Sequence, residues 1–144
     1  MENNRPLGWT TIDEAKRLVK AGLDPNTADM GYELDTQSPR ATSFTQLEKY
    51  FKALYVSPIY EPMTKAYPCW SLGALIEILP YKIKYEQDTY RVLVTKNNVS
   101  YPRLTTLWPE LYSKDGNNTI ECVVNMIIIL LEDGYIKKTE EHGE

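Results

Sequence analysis

The chain has 144 residues, a formal net charge of −4, and 42% hydrophobic against 25% charged residues. This length suits a single domain, residues 1–144, with a self-sufficient core. The acidic balance gives no overall electrostatic footprint for a polyanion. The two cysteines, Cys69 and Cys122, each fall within an apolar helix signal and read as buried free thiols of a reduced, cytoplasmic protein. The N-terminal residues show no charged-then-apolar signal peptide, and the longest apolar run, residues 126–131, is far short of a membrane span, so no membrane partner is expected.

In chain order, Thr11-Ile12-Asp13-Glu14 has the form of a capping box. Ile12, Ala15, Leu18 and Val19 behind it share one helical face, and Gly22 supplies a left-handed stop, so a helix is expected over residues 11–21. Residues 31–40 read as a loop with a short extended piece at 32–34. Ser43 can cap a second helix carrying Phe44, Leu47, Phe51 and Leu54, which Pro58 and Pro62 would end. The segment from there to Pro68 reads as extended and irregular.

Ser71 caps a short helix closed by Pro80, with Leu72, Leu75, Ile76 and Leu79 as its core stripe, Glu77 outward, and Trp70 placed to pack on the first turn. The period then changes from helical to alternating. Tyr81, Ile83 and Tyr85 alternate with Lys82, Lys84 and Glu86; after a turn at Gln87-Asp88, Tyr90, Val92 and Val94 alternate with Arg91 and Leu93. This predicts a hairpin with one buried face. Asn97-Asn98 suggests a further turn and residues 99–101 a third strand, with Pro109 and the Lys114-Asp115-Gly116-Asn117 cluster filling the next connection.

Asn118-Thr119-Ile120-Glu121 is a second capping box and opens the strongest helix, which Gly134 stops. Ile120, Val123, Val124, Ile127, Ile128, Leu130 and Leu131 form its broad apolar face, which Met126 and Ile129 extend toward the far side. A helix this apolar must be covered on most sides. It is either central to the domain or lends Met126 and Ile129, with Cys122, to a homodimer. Residues 1–8 and 137–144 read as solvated tails. The expected fold class is α+β: three or four helices packed on a small antiparallel sheet of two or three strands, with the C-terminal helix central.

The only histidine, His142, sits in the C-terminal tail, so no Cys–His or Ser–His–Asp constellation and no zinc set can be assembled inside the domain. No phosphate-cradling glycine loop is present. The reading is therefore of a protein that is not an enzyme and has no cofactor, no metal and no catalytic residues. The unusual feature is eleven tyrosines against two phenylalanines, many of them in the loop and hairpin regions. Tyrosine is enriched at recognition surfaces and also edges half-buried strands.

The candidate interaction surface is Lys84, Tyr90, Arg91, Arg103, Trp108 and Tyr112, with Met126 and Ile129 on the last helix. The first expectation is binding to another protein. The second is a nucleic-acid module, requiring Lys84, Arg91 and Arg103 on one exposed surface with a tyrosine or Trp108 between them. The third is a small-molecule-sequestering protein with a deep pocket lined by tyrosines and basic groups.

Two blocks carry a resemblance: Asp13-Glu14-Ala15-Lys16-Arg17-Leu18 through Gly22-Leu23-Asp24-Pro25-Asn26-Thr27-Ala28-Asp29-Met30, and Pro68-Cys69-Trp70-Ser71-Leu72-Gly73-Ala74-Leu75 through Leu79-Pro80. With Leu130-Leu131-Glu132-Asp133-Gly134-Tyr135, they resemble a family of small uncharacterised proteins encoded by phages and integrated elements of gut Bacteroidales. Residues 31–67 and the hairpin match it only in general layout. The resemblance implies a phage or mobile-element accessory protein in a bacterial cytoplasm, and carries over no activity and no functional residue.

Overall fold

Both ends of the first helix follow from four-residue signals. A computed structural model describes residues 8–33, 38–40, 66–106 and 109–139. In it, α1 (Ile12–Ala21) begins with the reciprocal box: the Glu14 N–H donates to Thr11 Oγ1 at 3.1 Å, and the Thr11 N–H donates to Glu14 Oε1 at 2.9 Å. It ends at Gly22, φ 109°, where the Leu23 N–H reaches Leu18 O and the Gly22 N–H reaches Val19 O, a Schellman closure. Ala15 and Leu18 are fully buried. Space at Gly22 is also tight, since a Cβ built there would lie 2.9 Å from Lys138 Cγ.

A 3-10 turn, Pro25–Thr27, capped by Asp24, leads into β1 (Met30–Glu33). This strand is the centre of a three-stranded antiparallel sheet, between β2 (Ser38–Arg40) and β3 (Ala66–Cys69). Tyr32 pairs with Pro39, and Gly31 pairs with Pro68. Both prolines lie on edge strands, where a missing N–H costs no ladder bond. Residues 66–69 are extended as expected but paired in a sheet rather than irregular, while residues 58–65 lie outside the described residues. The helix expected over residues 43–54 lies outside the described residues.

Ser71 caps α2 (Leu72–Ile78): its hydroxyl accepts from the Ala74 N–H at 3.1 Å and donates to the Asp29 carboxylate. Trp70, just before the cap, is fully buried, and its indole N–H donates to Thr27 Oγ1 at 3.0 Å. Leu75 and Leu79 are buried as expected, but Ile76 is 41% exposed and is not core. The helix is too short, and covered on too few sides, to bury the full stripe.

The strands β4 (Lys82–Tyr85) and β5 (Asp88–Arg91) form the predicted hairpin. The alternation does not continue as one strand through Val94. It breaks at Val92, and β6 (Leu93–Thr95) joins a separate sheet with β7 (Asn98–Ser100) and β8 (Ser113–Asp115). The described residues thus hold three α-helices and eight short strands in three antiparallel sheets, a mixed α and β fold rather than helices on one sheet of two or three strands. The missed strands are three or four residues long and rich in Gly, Pro, Ser or Asp, so they carry no readable period.

The helix α3 (Thr119–Glu132) packs against α1, α2 and all three strands β6, β7 and β8. Cys122, Val123, Val124, Met126, Ile127 and Leu130 are completely buried along it. The Asn118 side chain caps it, but Glu121 reaches the Asn117 N–H rather than that of the cap, so the second capping box is only half formed. At the other end Gly134, φ 89°, closes a second Schellman turn, with the Tyr135 N–H on Leu130 O. Gly8 O accepts from the Leu72 N–H, and the Thr139 N–H donates to Gly22 O at 2.8 Å. Both cysteines are free and buried. No described helix is long and apolar enough to cross a membrane.

Candidate interaction surface on the hairpin

The register of β4 and β5 sorts their side chains into two faces. Ile83 stands opposite Tyr90, and both are buried. Lys82 opposite Arg91, and Lys84 opposite Thr89, therefore occupy the other, open face. A third row is added by residues 102–104: the Arg91 N–H donates to Pro102 O at 3.2 Å, the Leu104 N–H donates to Thr89 O at 3.0 Å, and Tyr90 bridges Arg103. That bridge puts Arg103 on the Tyr90 side and Leu104 on the open side.

The open face therefore carries Lys82, Lys84, Arg91 and Leu104, and no carboxylate stands on its three rows. The Arg91 guanidinium lies over the Tyr81 ring, 5.1 Å from its centroid, a cation–π contact. Of the five exposed large hydrophobic residues described, four cluster on these strands and the segment beside them: Tyr81, Tyr85, Leu93 and Leu104. Scattered apolar exposure is ordinary, but concentration beside cations that no described carboxylate pairs is the composition of a contact surface.

The other residues expected at the surface fall elsewhere. Tyr90 is 5% exposed and belongs to the core. Arg103 is held by Asp88 at 3.2 Å, and its pKa is raised first by the hydrogen bond to the Tyr90 side chain and then by the Asp88 charge, against some desolvation. Its Nε is buried without a partner among the described atoms. Tyr112 is half-buried; its hydroxyl donates to the Asp133 carboxylate at the end of α3, and its ring meets Tyr135 edge-on with centroids 6.1 Å apart. Burial first, then Asp133, pushes the Tyr112 pKa well above the usual range. Trp108 lies outside the described residues.

Met126 is completely buried within the chain, so it offers no surface to a second copy. The helices α1 and α2 and the strands β6 to β8 surround α3 and take up the face that had no expected cover. Ile129 is half-buried.

The structure thus brings Lys84 and Arg91 onto one face and leaves Arg103 off it. Lys82 is the residue that completes the row. The period-two pattern already placed Lys82 two positions before Lys84, but the choice of Arg103 needed a cross-strand register that no local signal supplies.

Among the described residues, clefts open elsewhere. One of about 590 Å³ includes Leu23, Asp24, Glu77, Ile136 and Lys138, and a neighbour of about 520 Å³ shares Thr27, Glu77 and Ile78 with it. A third, of about 370 Å³, is lined by Thr11, Ile12, Asp13, Lys16 and Tyr32. None of these three gathers several tyrosines around basic groups, which the small-molecule reading requires. Among the described residues no three His, Cys, Asp or Glu side chains gather closely enough to hold a metal ion. No protein-family model, curated protein or solved structure matches this chain.

Proposed function

We propose that this protein is a non-enzymatic binding protein that contacts an acidic surface of another protein through the open face of the β4–β5 hairpin. The observation that supports it is the row of Lys82, Lys84 and Arg91 on a sheet face with no carboxylate on its paired rows, with exposed Tyr81 against Arg91. Cations that no described carboxylate pairs favour an acidic partner and raise its encounter rate. The sequence resemblance supports an accessory role in a phage or mobile element.

The test is capture on immobilised wild-type chain and on Lys84→Glu/Arg91→Glu, both checked for a cooperative thermal transition. A stoichiometric protein held by wild type and released by the charge-reversed form is the expected result. Identical retention by both, or none by either, sinks the reading.

A nucleic-acid module is the second reading, favoured by the Arg91–Tyr81 stack beside two lysines, which offers a cation and a π-face together. It is weakened by Arg103, which stands on the other side and is tied to Asp88. Salt-sensitive binding of single-stranded oligonucleotides, lost in the same double variant, would replace the first reading by this one.

A further inference from the structure

The hairpin also has an edge that no described strand covers. β4 pairs with β5 and with no other described strand. The Val92 N–H donates to Tyr81 O at 3.1 Å, which fixes 81, 83 and 85 as the residues whose main-chain groups bond toward β5. By the same alternation, the N–H and C=O groups of Lys82 and Lys84 point away from the sheet. No described group bonds to them.

Resting on the binding reading above, we infer that β4 accepts an extended acidic segment of the partner protein as an added antiparallel or parallel strand. The edge supplies the main-chain bonds, and the side chains set the sequence it takes. A strand laid beside β4 places alternate residues on the side of Lys82 and Lys84, and the residues between them on the side of Ile83 and Tyr85. The matching segment therefore carries Asp or Glu at every second position and apolar residues between.

Charge complementarity selects this occupant over a second copy of β4, whose Lys82 and Lys84 would meet like charges across the new ladder. Lysines on an edge deter self-pairing, and the same lysines admit a carboxylate-bearing strand.

The probe is a short capped peptide alternating Glu and Val, added in excess to the full-length protein while amide exchange is followed by NMR. Strand addition slows exchange at the Lys82 and Lys84 amides by about tenfold or more. An otherwise identical peptide, N-methylated on the amides that would face β4, should give no such protection. Lys82→Glu/Lys84→Glu should lose binding while still unfolding cooperatively, at a temperature no lower than wild type. Binding of both peptides alike, without protection of Lys82 and Lys84, overturns strand addition and leaves the open-face reading standing. Failure of the unmethylated peptide to bind also overturns it, while charge-dependent capture of a partner protein would still uphold that reading.

Discussion

Lys82 stands directly opposite Arg91 across the β4–β5 ladder, both exposed, with the Arg91 guanidinium drawn over Tyr81. Like charges facing each other across two strands work against the hairpin that carries them. The Tyr81 ring offsets part of this by attracting the Arg91 cation. Nothing in the packing of Ile83 and Tyr90 beneath requires either charge, so the pair serves the surface and not the core.

Lys82→Glu is therefore expected to stabilise the fold, by about 0.2–1 kcal/mol, by turning a like-charge pair into a salt-bridged one. Thermal unfolding at low salt should show the rise, and added salt should shrink it. A lower melting temperature would mean that the lysine is needed for the fold itself.

Glu86, the first residue of the two-residue turn between β4 and β5, has φ 57°. A side chain in that region is strained, and glycine relieves it. Glu86→Gly should raise stability by about 0.5–1 kcal/mol in denaturant unfolding, net of the greater flexibility that glycine brings to the unfolded chain. No change in the midpoint would show that the turn tolerates glutamate without strain.

Stability should fall in alkali. Burial pushes the Cys69 thiol from an ordinary 9.0 up to about 11, and burial raises Tyr101 and Tyr112 above the usual 10.0, the latter with help from Asp133. Each raised value means that the folded state holds the proton more tightly. The contribution is complete below the unfolded pKa and is lost as pH rises through the folded one. Denaturant midpoints should hold from neutral pH to about 8, decline from about 9 and drop further above about 10. Tyr101→Phe should flatten the last part of that decline; an unchanged slope would remove Tyr101 from the account.

Met126→Ala should cost about 2–5 kcal/mol, because it empties a fully buried site, and it should leave the solution mass unchanged. Ile129→Ala, at a half-buried position, should cost less. Unfolding curves and light scattering on the two variants check both points. A mass that halves on Met126→Ala would restore the dimer face.

The elements that were legible are those whose signals lie within a few residues. Thr11 and Glu14, Gly22 and Gly134, and Ser71 each ended or began a helix where their chemistry predicted. The hairpin was legible from alternation alone. Failures arose where a neighbour distant in sequence decided the outcome. Gly31 opposite Pro68 makes a strand pair that no local pattern announces. Ser113–Asp115 became a strand because Asn98–Ser100 lay beside it.

The surface divides in the same way. Alternation alone put Lys84 and Arg91 outward, but whether Arg103 joined them depended on its bridge to Tyr90.

What the chain determined by itself was its helix limits and its apolar stripes, since caps and periodicity act over one or two turns. The tertiary structure alone decided that α3 is covered around Met126, that Lys82 rather than Arg103 completes the cationic row, and that β4 pairs with β5 alone among the described strands. Burial and strand pairing are settled by which distant surfaces meet, and the free energy of that meeting belongs to no local segment.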